Sequence, residues 1–213
     1  VYLWTKKLKS RDIDLCINQE NFYKLQQELT QRNYALKRNV RLMKFEAIIN
    51  EVEVDIYTPF LSKLVVPCQD IINQKLYSSI ERFKAAQPEA LLLLKAQAAQ
   101  QRWHAEKGVK DRVDIISLLK FGDIKHETLK QMLGKYDSQG TLRSVIKRTI
   151  SESRVEYRFL GLIRERRISA EKIPHKLIGL SCHMHKNPLV LIKTDNAENE
   201  RERHLARASD LRL

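Results

Sequence analysis

Three cysteines, Cys16, Cys68 and Cys182, are too few, too widely spaced and odd in number for a disulfide framework, which points to a reducing cytoplasm. No apolar run approaches the roughly 20 residues that cross a bilayer, so no membrane partner is expected. No signal peptide is visible, and the chain begins at VYLW without Met, so native residues are expected upstream of Val1. Glycine is scarce: there are six in 213 residues, and the opening VYLWTKKLKSRDID holds none. Acidic residues are the minority, 26 against 39 Lys and Arg, which leaves a net charge of +13. A chain this basic is drawn to the phosphates of nucleic acid or a nucleotide, or else carries a basic solvated surface. The apolar fraction of 43% is ordinary for a globular protein, and the length suits one large domain or two small ones.

The first third reads as mixed α/β. DIDLCI is a short strand. NQENFYKLQQELTQRN follows as a helix, with Phe22, Leu25 and Leu29 at helical spacing, Asn18 as N-cap and Asn33 at its end. YALKR, KFEAIIN and VEVDIY read as strands, broken by RNVR and NE. Val52, Val54 and Ile56 alternate with Glu51, Glu53 and Asp55, a half-buried pattern, and Pro59 ends the run because it cannot continue a central ladder. From about residue 67 the texture turns helical. CQDIINQKLYSSIERFKA holds one short helix with irregular ends. QPEALLLLKAQAAQQRWHAEKG is the strongest helix, with Pro88 in its first turn, Glu89 complementing the dipole and Gly108 at its end. VKDRVDIISLLKFG, closed by Gly122, is a second and KHETLKQMLGKY a third. GTLRSVIKRTISESRVEYRFLG is a fourth, with Leu142, Val145, Ile146 and Ile150 on one stripe. Residues 189–192 form one more strand, and DNAENERERHLARASDLRL reads as a frayed tail or a short exposed helix.

Positions i and i+2 of a strand share a face, so Asp12 and Asp14 aim together while Ile13 and Leu15 face the core. Two carboxylates that close repel unless something positive lies between them. A divalent cation meets that need, and Mg2+ takes hard oxygen ligands. A third carboxylate from a second strand, Asp55, completes a site for two ions, about 3.5–4 Å apart in two-metal enzymes. One ion would activate an attacking hydroxyl while the other holds a triphosphate, which is the chemistry of nucleotidyl transfer. An Asp-x-Asp pair also occurs on exposed strand ends with no chemical role; the second acidic strand is what lifts this pair above that reading.

SRDIDL, then a helix, then VEVDIY, resembles the minimal nucleotidyltransferase fold, in the branch of AbiEii-type toxins and their relatives. PEALLLLKAQAAQQR is similar to that family's helix with a central lysine and a following arginine, and KGVKDRVDIISLL to its Lys/Arg-Asp-x-x-Asp helix. Order and spacing fit over about residues 1–135. The resemblance implies an α+β fold, a small mixed sheet of the nucleotidyltransferase type followed by a helical C-terminal region. A nucleotidyltransferase-like core would cover residues 1–66, with part of it upstream of Val1. Helices packing on it would cover 67–180, and a short strand and charged tail 181–213.

Carried over by position, Asp12 and Asp14 match the paired metal ligands, and Asp55 the third carboxylate, which is the general base or its helper. Ser10 matches the Ser or Thr often found two residues before the pair. Lys95, Arg102, Asp111 and Asp114 match the later substrate-binding positions. Lys95 sits among Leu91, Leu94 and Ala98, where a charge is costly unless a triphosphate or carboxylate meets it or the side chain snorkels. Arg102, seven residues on, shares its face. Asp111 also suits a dipole role in a first turn, and Asp114 also suits an i,i+4 pair with Lys110. Members of this fold normally carry a Gly-Ser or Gly-Gly turn before the paired aspartates, where backbone amides bind nucleotide phosphates. The glycine-free opening departs from that pattern. Either the turn lies upstream of Val1 or the chain is a degenerate relative. Lys6, Lys7, Lys9 and Arg11 would contact phosphates in its place, or form a solvated face.

Cys182, His183 and His185 lie together, but no second ligand cluster accompanies them as structural zinc requires. His104 and His126 read as surface residues, and Trp4 and Trp103 as core rather than stacking platforms. Arg143, Lys147, Arg148, Arg154 and Arg158 either track a nucleic-acid backbone or form a solvated basic face. The resemblance thus implies a Mg2+-dependent nucleotidyltransferase that moves a nucleoside monophosphate from an NTP to a hydroxyl acceptor. Its toxin-type relatives imply tRNA as acceptor and a cognate antitoxin as partner. The alternative is a catalytically inactive relative that binds nucleic acid or a partner protein.

Overall fold

The computed structural model describes residues 1–7 and 12–162. Lys9, Ser10, Arg11, the Cys182–His183–His185 group, the strand read at 189–192 and the charged tail lie outside the described residues. A single-turn helix, α1 (Tyr2–Thr5), precedes β1 (Asp12–Cys16), α2 (Gln19–Gln31), β2 (Lys37–Asn39), β3 (Lys44–Ile49) and β4 (Val52–Tyr57). The four strands form a mixed sheet in the order β1-β4-β3-β2, with β1 parallel to β4 and the other neighbours antiparallel. The expected α+β architecture, a small mixed sheet followed by helices, is what the chain adopts.

Sequence alternation decides which face of the sheet is which. Ile13 stands opposite Val54 and Leu15 opposite Ile56, while Asp12 stands opposite Glu53 and Asp14 opposite Asp55. Apolar side chains therefore share one face and carboxylates the other, and a slip of one residue would exchange the two sets. α2 closes the apolar face: Phe22 packs with Val54 and Ile56, joined by Leu15, Leu25, Phe45, Ile49 and Val52. The rings of Phe22 and Phe45 lie 4.5 Å apart between centroids. Asn18 caps α2 by accepting from the Asn21 N–H at 2.8 Å, as its position in the sequence implied. Ile13 departs from expectation: on the edge strand it lies outside this cluster and is 48% exposed. β3 and β4 turn through Asn50 and Glu51, both at positive φ.

The second half is built around α4 (Pro88–Gln101), whose apolar side chains point all round and are accordingly enclosed. α5 (Glu106–Phe121), α6 (His126–Tyr136) and α7 (Thr141–Glu152) pack against it, and α8 (Arg154–Phe159) packs on α5. Leu92, Leu93, Ile115, Leu118, Leu129, Leu133 and Ile146 form the centre of this core. Asp137 accepts from the N–H groups of Leu142 and Arg143, both at 2.9 Å, and so seals the start of α7. Glu89 does more than complement a dipole: buried in the first turn of α4, it accepts from the Lys125 N–H at 2.6 Å and ties in α6.

Three sequence expectations are corrected. The one short helix expected in CQDIINQKLYSSIERFKA is present as α3 (Cys68–Asn73), but the stretch after it is not irregular: it is a hairpin of β5 (Tyr77–Ile80) and β6 (Phe83–Ala86). Its turn puts Glu81 at φ 55, a conformation that glycine normally supplies, so the sequence carries no turn signal. α4 ends at Gln101, not at Gly108; Gly108 lies inside α5, where a Cβ would meet the Arg102 carbonyl oxygen at 2.0 Å. The single helix read over 141–161 breaks at Ser153 into α7 and α8, and Gly161, at φ 69, follows the end of α8.

Candidate functional site

The carboxylate face of the sheet and the junction of α4 with α5 supply the candidate site. Asp12, Asp14 and Cys16 on β1 line up with Glu53, Asp55 and Tyr57 on β4. Asp55 in turn stands opposite Glu46 on β3. The three proposed metal ligands are thus brought to one face of adjacent strands.

So many like charges need compensation, and three lysines provide it. Lys44 hydrogen-bonds Asp55 and lies 3.1 Å from Glu46, with its side chain only 11% exposed. Lys110, from α5, lies 3.6 Å from Asp12. Lys95, from α4, is close enough to Asp14 to act on its charge. Asp14 keeps contact with solvent, yet the protein crowded around it thins its hydration, which is the main cause raising its pKa. Asp12 and Asp55 add to the rise, while Lys95 and Lys44 oppose it. Burial above all, then the charges of Asp14 and Asp55 beside it, hold the Tyr57 phenol protonated well beyond the ordinary range.

The second tier lies on the helices. Lys95 pairs with Asp114 at 2.8 Å and lies 3.9 Å from Asp111. Arg102 holds Asp111 with two bonds, Nε at 2.5 Å and Nη2 at 2.9 Å, in the fork geometry that makes such pairs strong. Burial works to lower the Lys95 pKa, but Asp114, Asp111 and Asp14 outweigh it and the net shift is upward. The anion that half-buried Lys95 demanded is therefore a carboxylate of its own chain. Asp111 lies well past the first turn of α5, which Glu106 occupies, so the dipole reading fails for it. Asp114 pairs with Lys95, and Lys110 turns instead to Asp12. Arg102 is the residue after α4 rather than part of it, and this frees its side chain to reach α5.

Lys44, Glu46, Glu53 and Tyr57 were not singled out from the sequence. Lys44 and Glu46 do show a signal in retrospect: they alternate with Phe45 and Ala47 as Asp12 and Asp14 alternate with Ile13 and Leu15. Lys6 pairs with Glu81 at 2.7 Å, and the ammonium of Lys7 stands 4.4 Å from the Phe121 ring centroid, so these two serve local contacts. Trp4 and Trp103 both pack against the helical core, as read.

Hard oxygen donors on a shared face are the right chemistry for Mg2+, and the crowding of charge at Asp14 is what a cation would relieve. Among the described residues, however, no three His, Cys, Asp or Glu side chains are already gathered closely enough to hold a metal ion. Lys44 engages the third carboxylate instead. No helix among the described residues is long and apolar enough to cross a membrane.

No protein-family model matches the chain, and no curated protein sequence matches it. A solved structure of an antigenic nucleotidyltransferase-like protein from Paracoccidioides brasiliensis is similar over 65% of this chain and 75% of that one, at 16% identity and a TM-score of 0.35.

Proposed function

We propose that this chain is a Mg2+-dependent nucleotidyltransferase that moves a nucleoside monophosphate from an NTP to a hydroxyl. The observation that carries the proposal is the parallel register of β1 and β4, which sets Asp14 beside Asp55 with Asp12 two residues along the same face. The resemblance of the Asp-x-Asp strand and the two later helices to the AbiEii-type branch supports the same reading, with a tRNA hydroxyl as acceptor and a cognate antitoxin in a reducing cytoplasm.

Asp12, Asp14 and Asp55 would hold the metal, which supplies charge neutralisation for the triphosphate and the leaving oxygen. Asp55 takes the proton of the acceptor hydroxyl as its oxygen bonds the α-phosphorus; the bond from that phosphorus to the bridging oxygen breaks, and pyrophosphate leaves. Lys95 and Arg102, fixed by Asp114 and Asp111, hold positive charge beside the carboxylate face. Transfer of label from α-labelled NTP to tRNA in the presence of Mg2+ tests this. The wild type is expected to transfer label, and Asp12→Ala with Asp14→Ala to abolish transfer.

A second reading, a binding protein without turnover, is favoured by the lysines that already neutralise the face and by the lack of a gathered metal group among the described residues. Calorimetric titration with Mg2+ and NTP separates the two. Weak binding that the double substitution leaves unchanged, with no label transferred, would select the second.

A further inference from the structure

We propose that Lys44 is a built-in counter-ion that competes with a divalent cation for Asp55. This inference rests on the metal-binding reading of Asp12, Asp14 and Asp55 above. Lys44 opens β3, next to β4 on the side away from β1, so Asp55 lies between the Asp12–Asp14 pair and the lysine. Its ammonium is gripped from two sides, by Asp55 and by Glu46 at 3.1 Å, and the side chain is 11% exposed. Asn39 donates to Glu46 at 2.9 Å from the neighbouring strand and fixes the second jaw of the grip.

Two consequences follow for this chain's own residues. Without a cation, the ammonium of Lys44 offsets part of the like charge that Asp55 and Asp14 bring together on adjacent strands. Lys44 holds Asp55 through Oδ2, so a cation that takes Asp55 as a ligand must either share the carboxylate with a bound ammonium or displace it, and both count against cation affinity. Lys44 therefore sets how tightly the face binds a divalent ion, although it is not itself a ligand.

Mn2+ binding, read from the electron paramagnetic resonance signal of the free ion, tests this with Mn2+ as the probe. Lys44→Met is expected to bind Mn2+ about tenfold more tightly than the wild type, a difference of about 1.4 kcal/mol. Its melting temperature in EDTA should fall below that of the wild type, and rise further than the wild type's on adding Mn2+. Lys44→Arg keeps the charge and should bind Mn2+ no more tightly than the wild type, which guards against a fold defect in the methionine variant. If Lys44→Met binds no tighter, while Asp12→Asn with Asp14→Asn abolishes binding, the counter-ion role is overturned and the metal site stands. If the double substitution leaves Mn2+ binding unchanged, both are overturned.

Discussion

Replacing Lys95 with methionine puts the helical tier of the site to a quantitative test. Methionine keeps the unbranched shape and removes the charge. The change deletes the 2.8 Å pair with Asp114 and the 3.9 Å approach to Asp111. Asp111 keeps its two bonds to Arg102, so its cost is small. Asp114 fares worse: its side chain is 8% exposed and it loses its ammonium. Breaking a buried pair from one side costs about 3–5 kcal/mol. Lys95 keeps 23% of its side-chain exposure, which places this case at the lower end, about 3 kcal/mol. Adding Asp114→Asn removes the stranded charge and should restore about 2 kcal/mol, a coupling readable in a double-mutant cycle. Urea unfolding followed by circular dichroism, with unchanged m-values, measures both steps. The pH dependence has a definite sign. The pKa of Lys95 in the folded state lies above its ordinary 10.5, so its contribution is complete below 10.5 and is lost as pH climbs through the higher folded value. The gap between wild type and Lys95→Met should hold steady from neutral pH to about 10 and narrow above that. A loss under about 1 kcal/mol, or a double variant no more stable than the single, would refute the pairing argument.

Three further changes probe the scaffold. Gly108→Ala forces a Cβ to within 2.0 Å of the Arg102 carbonyl oxygen, so the melting temperature should drop by about 2–8 °C; an unchanged value would mean that the α4–α5 junction is looser than described. Glu51→Gly relieves a two-residue turn in which Glu51 sits at φ 67, and should stabilise the protein by about 0.5–1 kcal/mol in the same urea assay. Asp137→Ala strips the start of α7 of two acceptor contacts of 2.9 Å and should cost about 1–2 kcal/mol, with faster amide exchange at Leu142 and Arg143 as the local signature.

The parts of this molecule that were legible in the sequence are those in which one short-range rule acts alone. Alternation in DIDLCI and VEVDIY revealed both strands and the face that carries Asp12, Asp14 and Asp55, because a period of two has only two outcomes. Asn18 announced α2 because its side-chain oxygen has one obvious customer, the Asn21 amide. What stayed hidden depended on tertiary contact. Gly108 looked like a helix end because glycine commonly is one, but here it clears space for a crossing backbone. The β5–β6 hairpin was missed because Glu81 and Arg82 replace the usual glycine at its turn. Lys95 was marked as needing an anion, yet the choice between a phosphate and Asp114 is made only when α5 folds back on α4. Lys44 escaped notice because a lysine at a strand start reads as solvated until Asp55 arrives beside it.

Two guanidinium groups stand against the Trp103 ring, those of Arg148 at 4.2 Å and Arg112 at 4.7 Å from its centroid. Its indole is one residue from Arg102, whose grip on Asp111 anchors the helical tier of the site. Trp4 is pinned elsewhere, donating to the Ala86 carbonyl at 2.8 Å. The chain thus carries two native optical probes in unlike surroundings: Trp103 reports on the arginines that close the α4–α5 corner, and Trp4 supplies a reference signal from the hairpin, so ligand-induced movement of Arg102 can be followed by emission without attaching a dye.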